Sequence, residues 1–191
     1  ADSYKTSLEH NKKFTLARMN LGIVEAEKLG NFDAAIMQFD NIIETKHRKL
    51  VIPFIFNNKN EEINKGLAYY NKGLAYKAKY LYDMEDEEQA KKDIANAIKS
   101  YEEAKKILKK HYDTLYNLAL AYQISGQSHN AGLNYCEAID ISPMNFEAHY
   151  NLAILLKRMN YYQSAYDEIE KASLLISNTS INDNTKSYVF D

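Results

Sequence analysis

The chain has 191 residues, 46% of them hydrophobic and 26% charged, and a formal net charge of −2. This length can bury a sizeable core, and the small net charge excludes a chain-wide basic field that would attract nucleic acid or anionic lipid. A single cysteine, Cys136, excludes a disulfide framework and a cysteine metal cluster, while 6 Gly and 2 Pro are too few for the many turns of an all-β fold.

The first predicted hairpin has a helix from about Ser3 to Leu29, a turn at Gly30 and Asn31, and a helix from Phe32 to about His47. The longest apolar run, Leu50–Phe56, follows and is far too short to span a bilayer. Pro53 forbids a continuous helix there. We therefore predict that residues 48–60 are an insertion between repeats, an extended connector that packs on the protein. The alternative is a segment that lies in the protein's own groove or docks a partner.

The second predicted hairpin runs from about Glu61 to Asp83 and from Glu87 to Lys109. Its small residues Gly73 and Ala97 are 24 positions apart, whereas the matching residues of the third hairpin are 12 apart. The surplus divides equally between the two helices, so both lengthen without losing phase. The sequence thus predicts a hairpin longer than its neighbours, with its tip near residues 84–86.

Two more hairpins follow in the second half of the chain. The third is predicted at Asp113–Ser125 and Ser128–Ile141, and the fourth at Asn145–Met159 and Tyr161–Ile176. Gly126 lies in the third turn and Pro143 follows the third hairpin, as expected for helix stop signals. Residues 178–191 are predicted to be a polar tail.

The third and fourth hairpins repeat one another. Tyr116-Asn117-Leu118-Ala119 recurs 34 residues later as Tyr150-Asn151-Leu152-Ala153, and the matching small residues of the second helices keep the same offset. A fixed period of this size is typical of helical-hairpin solenoids, in which no repeat can bury its apolar face alone.

These stretches resemble the tetratricopeptide repeat (TPR), although Leu115 and His149 stand where that family often has Trp. The resemblance implies an all-α, right-handed superhelical solenoid of antiparallel hairpins. It covers about four repeats, at about 3–47, 61–110, 112–143 and 145–177, which we expect to form a single domain. The resemblance also implies a scaffold for protein–protein interaction, whose concave face is built by the first helix of each pair.

A helical wheel places similar residues on one face of each first helix. The predicted groove residues are Asn20; Tyr70, Asn71, Leu74 and Lys77; Tyr116, Asn117, Leu120 and Gln123; and Tyr150, Asn151, Ile154 and Lys157. Amides can satisfy a peptide backbone, and tyrosines offer rigid contact area. We therefore predict binding of a peptide or partner helix. The alternative is that the tyrosines pack between repeats and the asparagines brace neighbouring helices.

We find no sequence pattern for catalysis, and we therefore predict that the chain is not an enzyme. No two of the five histidines stand at helical ligand spacing, no Gly-rich phosphate loop occurs, and Cys136 lies at a predicted helical packing position. The acidic cluster at residues 85–88 is expected to favour the following helix N-terminus. We predict no cofactor, no metal, no nucleic acid and no membrane insertion. The expected partner is a protein or peptide, with a homodimer possible.

The alternative function is a regulatory, assembly or oligomerisation domain of a larger protein. An open groove would favour the scaffold, whereas a groove occupied by the chain itself or by a second copy would favour the assembly domain. The sequence does not determine the compartment, and a cytoplasmic location is the working expectation.

Overall fold

The computed structural model of the chain describes residues 3–6, 15–45, 58–82 and 84–179. Within these ranges the chain is helical at 3–6, forms eight longer helices and has no strand. The helices are α1 (Thr15–Glu27), α2 (Phe32–Glu44), α3 (Asn58–Tyr82), α4 (Glu87–Leu108), α5 (Tyr112–Ile124), α6 (Ser128–Ile141), α7 (Phe146–Arg158) and α8 (Tyr162–Thr179).

The contacts between helices divide the chain into two compact units, Ala1–Lys110 and His111–Asp191. The first unit contains the hairpins α1–α2 and α3–α4, and the second contains α5–α6 and α7–α8. The predicted all-α hairpin architecture is confirmed. That these hairpins form a single domain stays a prediction. The roles of Leu50–Phe56 and of the end of the tail also stay predictions, because both segments lie outside the described residues.

The second hairpin is longer than its neighbours, as the spacing of its small residues predicted. Helices α3 and α4 have 25 and 22 residues, whereas α5 and α6 have 13 and 14. Residues 84 and 85 form the turn at its tip. The Asp86 side chain then accepts a hydrogen bond from the Gln89 N–H at 3.0 Å and caps α4. The acidic residues Glu87 and Glu88 follow in the first turn, where the helix dipole favours them.

The turns of the third and fourth hairpins share one backbone conformation. Gly126 has a φ of 78°, and Asn160, which lies 34 residues later, has a φ of 65°. Both values fall in the left-handed region, which Gly enters freely and Asn tolerates better than most residues. The third and fourth hairpins therefore repeat one another in the backbone of their turns as well as in their side chains.

In the first three hairpins the core rests on small residues that face large ones across the hairpin. In the first unit, a Cβ added at Gly73 would lie 2.5 Å from Cε1 of Tyr101, and one added at Gly22 would lie 2.7 Å from Cε1 of Phe39. In the second unit Ala119 and Tyr135 are both fully buried. The absence of a side chain at Gly22 and Gly73 is therefore what lets each second helix approach its partner closely.

Two ion pairs add to the apolar contact between α2 and α3. Lys72 Nζ lies 2.5 Å from Asp40 Oδ1, and Lys79 Nζ lies 2.7 Å from Asp33 Oδ1. Both lysines are on α3 and both aspartates on α2. These contacts join consecutive hairpins, as a repeat architecture requires.

We expect Gly73→Ala and Gly132→Ala to change stability in opposite directions. The new methyl group at residue 73 collides with the Tyr101 ring, so the free energy of unfolding should fall by about 1–2 kcal/mol. At residue 132 the nearest atom to the new Cβ is Leu155 Cδ2 at 3.7 Å, an ordinary contact. There the better helix propensity of Ala should raise the free energy of unfolding by up to about 1 kcal/mol. Urea unfolding of both variants beside the wild type measures this, and equal effects would contradict it.

Candidate binding surface

An open pocket of about 260 Å³ lies within the first unit, between α1 and α3 and above α2. Its lining residues are Ile23, Ala26 and Glu27 of α1, Phe39 of α2, and Asn71, Leu74, Ala75, Lys77, Ala78 and Leu81 of α3. Asn71, Leu74 and Lys77 are three of the four groove residues that the sequence predicted on α3. The structure therefore brings these three together around one cavity.

The pocket is mainly apolar, with polar groups at a few places. The Phe39 side chain is 1% exposed, whereas the Leu81 side chain is 57% exposed. Lys77 is half-buried, and this burial lowers the pKa of its ammonium group. Glu27 is exposed and adds a carboxylate to the lining. This arrangement suits an apolar group with a polar neighbour better than it suits a metal ion or a reacting group.

Three of the predicted asparagines each make the same kind of side-chain hydrogen bond. Nδ2 of Asn71, Asn117 and Asn151 donates to the backbone oxygen four residues earlier, at distances of 2.8, 2.8 and 2.9 Å. For Asn71 and Asn151, Oδ1 accepts no hydrogen bond within the described parts of the chain. This fixed orientation leaves the amide oxygen of Asn71 as an acceptor beside the pocket.

Two of the three predicted tyrosines pack on the second helix of their own hairpin. The ring centroids of Tyr70 and Tyr101 are 6.1 Å apart, and those of Tyr116 and Tyr135 are also 6.1 Å apart. Burial raises the pKa of the Tyr116 hydroxyl, with a further contribution from the carboxylate of Glu147. Tyr70 and Tyr116 are therefore half-buried packing residues as well as predicted groove residues.

In the second unit, one predicted groove residue contacts another. Asn151 Nδ2 donates a hydrogen bond of 2.8 Å to Tyr116 Oη, which joins α7 to α5. Gln123 Oε1 accepts a hydrogen bond of 2.9 Å from Tyr135 Oη. The first of these bonds is of the kind that the alternative interpretation of the groove residues expected, in which asparagines brace neighbouring helices.

The remaining predicted residues differ in their exposure. Asn117 is 8% exposed and Tyr150 is 42% exposed. Asn20, Leu120 and Ile154 are half-buried, and Lys157 is exposed. Among the groove residues predicted in the second unit, those on α7 are thus the more accessible to a partner.

A buried polar network in the second unit was missed by the sequence analysis. His149 Nδ1 lies 2.6 Å from Glu168 Oε2, and His149 Nε2 lies 3.1 Å from the backbone oxygen of Pro143. Glu168 Oε1 also accepts from Lys171 Nζ at 2.6 Å. Burial alone would raise the pKa of Glu168, but hydrogen bonds from Lys171 and His149 outweigh it and hold this pKa below its usual value. The network joins α7 to α8.

Within the described ranges, no three His, Cys, Asp or Glu side chains are grouped so that they could hold a metal ion. No described helix is long and apolar enough to cross a membrane. Cys136 is exposed, so it is not the packing residue that the sequence predicted. Partial desolvation of its thiol, followed by the carboxylates of Glu168 and Asp140, raises the pKa of Cys136. This environment disfavours the thiolate that a nucleophile needs.

A double-mutant cycle tests the bond between Tyr116 and Asn151. We expect Tyr116→Phe and Asn151→Ala each to lower the free energy of unfolding, with a coupling of about 0.5–1.5 kcal/mol because one hydrogen bond is shared. Asn20→Ala serves as the control for Asn151→Ala, since Asn20 makes no side-chain hydrogen bond within the described residues. Additive effects of Tyr116→Phe and Asn151→Ala in urea unfolding would contradict the shared bond.

The Glu168 network predicts a difference in acid stability between the wild type and Glu168→Gln. The folded protein lowers the pKa of Glu168 below its ordinary value of 4.5, so the carboxylate stabilises the fold above that pH and loses its contribution as the pH falls through the folded pKa. The wild type should therefore be the more stable protein near neutral pH, and the difference should shrink in acid. Thermal unfolding of both proteins between neutral and acid pH measures it. A difference that does not depend on pH would count against the network.

Residues 112–145, which cover α5 and α6, match the family model of the tetratricopeptide repeat. No curated protein matches the chain by sequence. Among solved structures, a crystal structure of MamA has a TM-score of 0.70 at 19% identity and covers 93% of this chain and 87% of that one. MamA from residue 41 to the end, from Desulfovibrio magneticus RS-1, has a TM-score of 0.68 at 19% identity, with coverage of 94% and 84%.

TTC0263, a thermophilic TPR protein of Thermus thermophilus, has a TM-score of 0.62 at 19% identity, with coverage of 88% and 77%. At such identities the likeness concerns the fold. The resemblance stated from the residues is thus confirmed: the chain contains a tetratricopeptide repeat at residues 112–145 and has the helical-hairpin fold of TPR proteins.

Proposed function

We propose that the chain is a non-catalytic scaffold for protein–protein interaction, and that the pocket of the first unit holds an apolar side chain of a bound peptide or partner helix. The observation that carries this proposal is that Asn71, Leu74 and Lys77 line one cavity. The TPR fold supports the general role, because that family consists mainly of interaction scaffolds.

The size of the pocket supports an anchoring side chain as its occupant. Its volume of about 260 Å³ lies below the roughly 300–1,000 Å³ of most small-molecule sites. Apolar walls from Phe39, Leu74 and Leu81 would remove such a side chain from water. Burial of apolar area at about 25 cal/mol per Å² then supplies the favourable part of binding.

The polar groups of the pocket would orient the bound chain. Asn71 Oδ1 can accept a hydrogen bond from a backbone N–H of the partner without selecting its sequence. Lys77 and Glu27 carry opposite charges, so the site does not demand one sign of charge from its partner. Recognition would therefore depend on shape and on the anchor.

An assembly function remains the second candidate, and a specific observation favours it. The last helix of the described residues, α8, exposes large apolar side chains, among them Tyr162 and Tyr166 at 64% and 61%. Surfaces of this kind on a soluble protein commonly mark interaction sites. This second site does not exclude the first, because the pocket and α8 belong to different units.

Filling the pocket tests the scaffold proposal. In a displayed random-peptide library selected on the wild type, we expect binders that lose at least about tenfold in affinity on Ala78→Met, because the longer side chain occupies the cavity. Met is a good helix former, so the substitution should preserve α3. Ala95→Met is the matched control, since Ala95 is an exposed residue of α4 in the same unit and does not line the pocket.

Thermal unfolding should first show that both variants are folded. Binders that keep their affinity for Ala95→Met and lose it for Ala78→Met support the pocket as the site. Binders that tolerate both substitutions equally, or a selection that yields no binder at all, would contradict the proposal.

A further inference from the structure

One face of α8 is apolar and exposed. Tyr162, Tyr166 and Ile169 are 64%, 61% and 37% exposed, and Ser173 continues the same line. Their spacing of four, three and four residues places them along one side of the helix. We call these four residues the α8 stripe. Ala165 and Ala172 lie beside it and are buried against the rest of the unit.

The first hairpin shows what covers this face elsewhere in the chain. The residues 130 positions before the α8 stripe are Phe32, Ile36, Phe39 and Ile43 on α2. Ile36 and Phe39 are only 8% and 1% exposed and belong to a core cluster that includes residues of α3. Phe32 contacts Tyr82 of α3 edge-on, with ring centroids 6.0 Å apart. Phe39 also packs at Gly22 of α1. The matching residues of the first hairpin are thus covered partly by their own first helix and partly by the next hairpin.

The third hairpin repeats this arrangement. Tyr135 on α6, which corresponds to Ile169, is fully buried and packs on Tyr116 and Gln123 of its own hairpin. A Cβ at Gly132, which corresponds to Tyr166, would lie 3.7 Å from Leu155 of α7. In both earlier cases the following hairpin therefore contributes to covering this face, at Phe32 and Ile36 in the first hairpin and at Gly132 in the third. Among the described residues no helix follows α8. The stripe continues a series of interfaces that the chain already uses.

We propose that the α8 stripe pairs with the α8 stripe of a second copy of this chain, in an antiparallel arrangement about a two-fold axis. The spacing itself suits this occupant. Tyr162 and Ser173 lie symmetrically about the midpoint between residues 167 and 168, and so do Tyr166 and Ile169. A two-fold axis at that midpoint places Tyr162 of one copy against Ser173 of the other.

The same axis places Tyr166 of one copy against Ile169 of the other. A large residue thus meets a small one at the ends of the interface, and an aromatic residue meets an aliphatic one in the middle. Alternation of four and three residues is also the spacing of a two-helix coiled-coil seam. Such self-complementarity is what an interface between identical surfaces requires.

The charges beside the stripe are compatible with this pairing. Gln163 and Glu170 lie on the side of the stripe that faces away from the core, and both are exposed. The two-fold axis brings Gln163 of one copy near Glu170 of the other, so an amide and a carboxylate meet instead of two carboxylates. Lys171 is already paired with Glu168 of its own chain.

Sedimentation of the full chain at increasing micromolar concentrations tests the proposal. One helix face is a small interface, so we expect a dimer that dissociates on dilution. Tyr166→Lys with Ile169→Lys should make the protein monomeric throughout, because two cations per copy would face each other. Leu174→Lys is the control: Leu174 is 59% exposed on α8 but lies off the stripe, so this variant should dimerise like the wild type.

Thermal unfolding of these variants separates loss of pairing from loss of fold. A double variant that is as stable as the wild type but monomeric supports the proposal. A wild type that stays monomeric overturns it and assigns the stripe to the chain's own tail or to a different protein. The proposal is also overturned if Leu174→Lys dissociates the dimer as much as the double variant does.

Cysteine cross-linking tests the direction of pairing. In a Cys136→Ser background, which removes the native thiol, Tyr162→Cys mixed with Ser173→Cys should form disulfide-linked dimers under mild oxidation, because the two-fold axis places these positions opposite each other. Tyr162→Cys mixed with Leu174→Cys should form several-fold fewer. Equal cross-linking of both mixtures would overturn the antiparallel pairing even if the protein dimerises.

Discussion

The close approach of the two helices in the first three hairpins is the contact on which the rest of the structure depends. Gly73 offers no Cβ, so the ring of Tyr101 lies where a side chain would otherwise be, and Gly22 does the same for Phe39. The aromatic residue fills the space between the helices and is almost fully buried. Because one face of each first helix is used in this way, the opposite face is left to meet the next repeat or a partner.

The two units differ at one matching position of that opposite face, where the second unit has Tyr116 and the first has Met19. Asn151 donates to the hydroxyl of Tyr116 in the second unit, and at the matching place in the first unit Nδ2 of Asn71 lies 3.6 Å from Sδ of Met19. A thioether is a weak acceptor, whereas a hydroxyl is a good one. The second unit therefore closes this position with a strong bond, while the amide of Asn71 stays beside an open pocket.

The repeat period was sufficient to predict the hairpins, their order and the long second pair, since apolar and small residues recur at distances that only one helical register satisfies. It could not predict which groove residues bond to one another. The Tyr116–Asn151 bond joins residues 35 positions apart, and a wheel drawn for one helix contains only one of them. The pair of His149 and Glu168 is hidden for the same reason, because it depends on how α7 and α8 pack.

The proposed dimer would let the pocket and the α8 stripe act together. A repeat buries its apolar face only against a neighbour, so the last face in a series either meets another surface or stays in water. In the proposed dimer, that face is buried and each assembly carries two pockets. A partner that presents two anchors could then bind with an avidity far above the affinity of either pocket, provided that its linker spans both sites. Dissociation of the dimer would weaken such binding without altering any residue of the pocket.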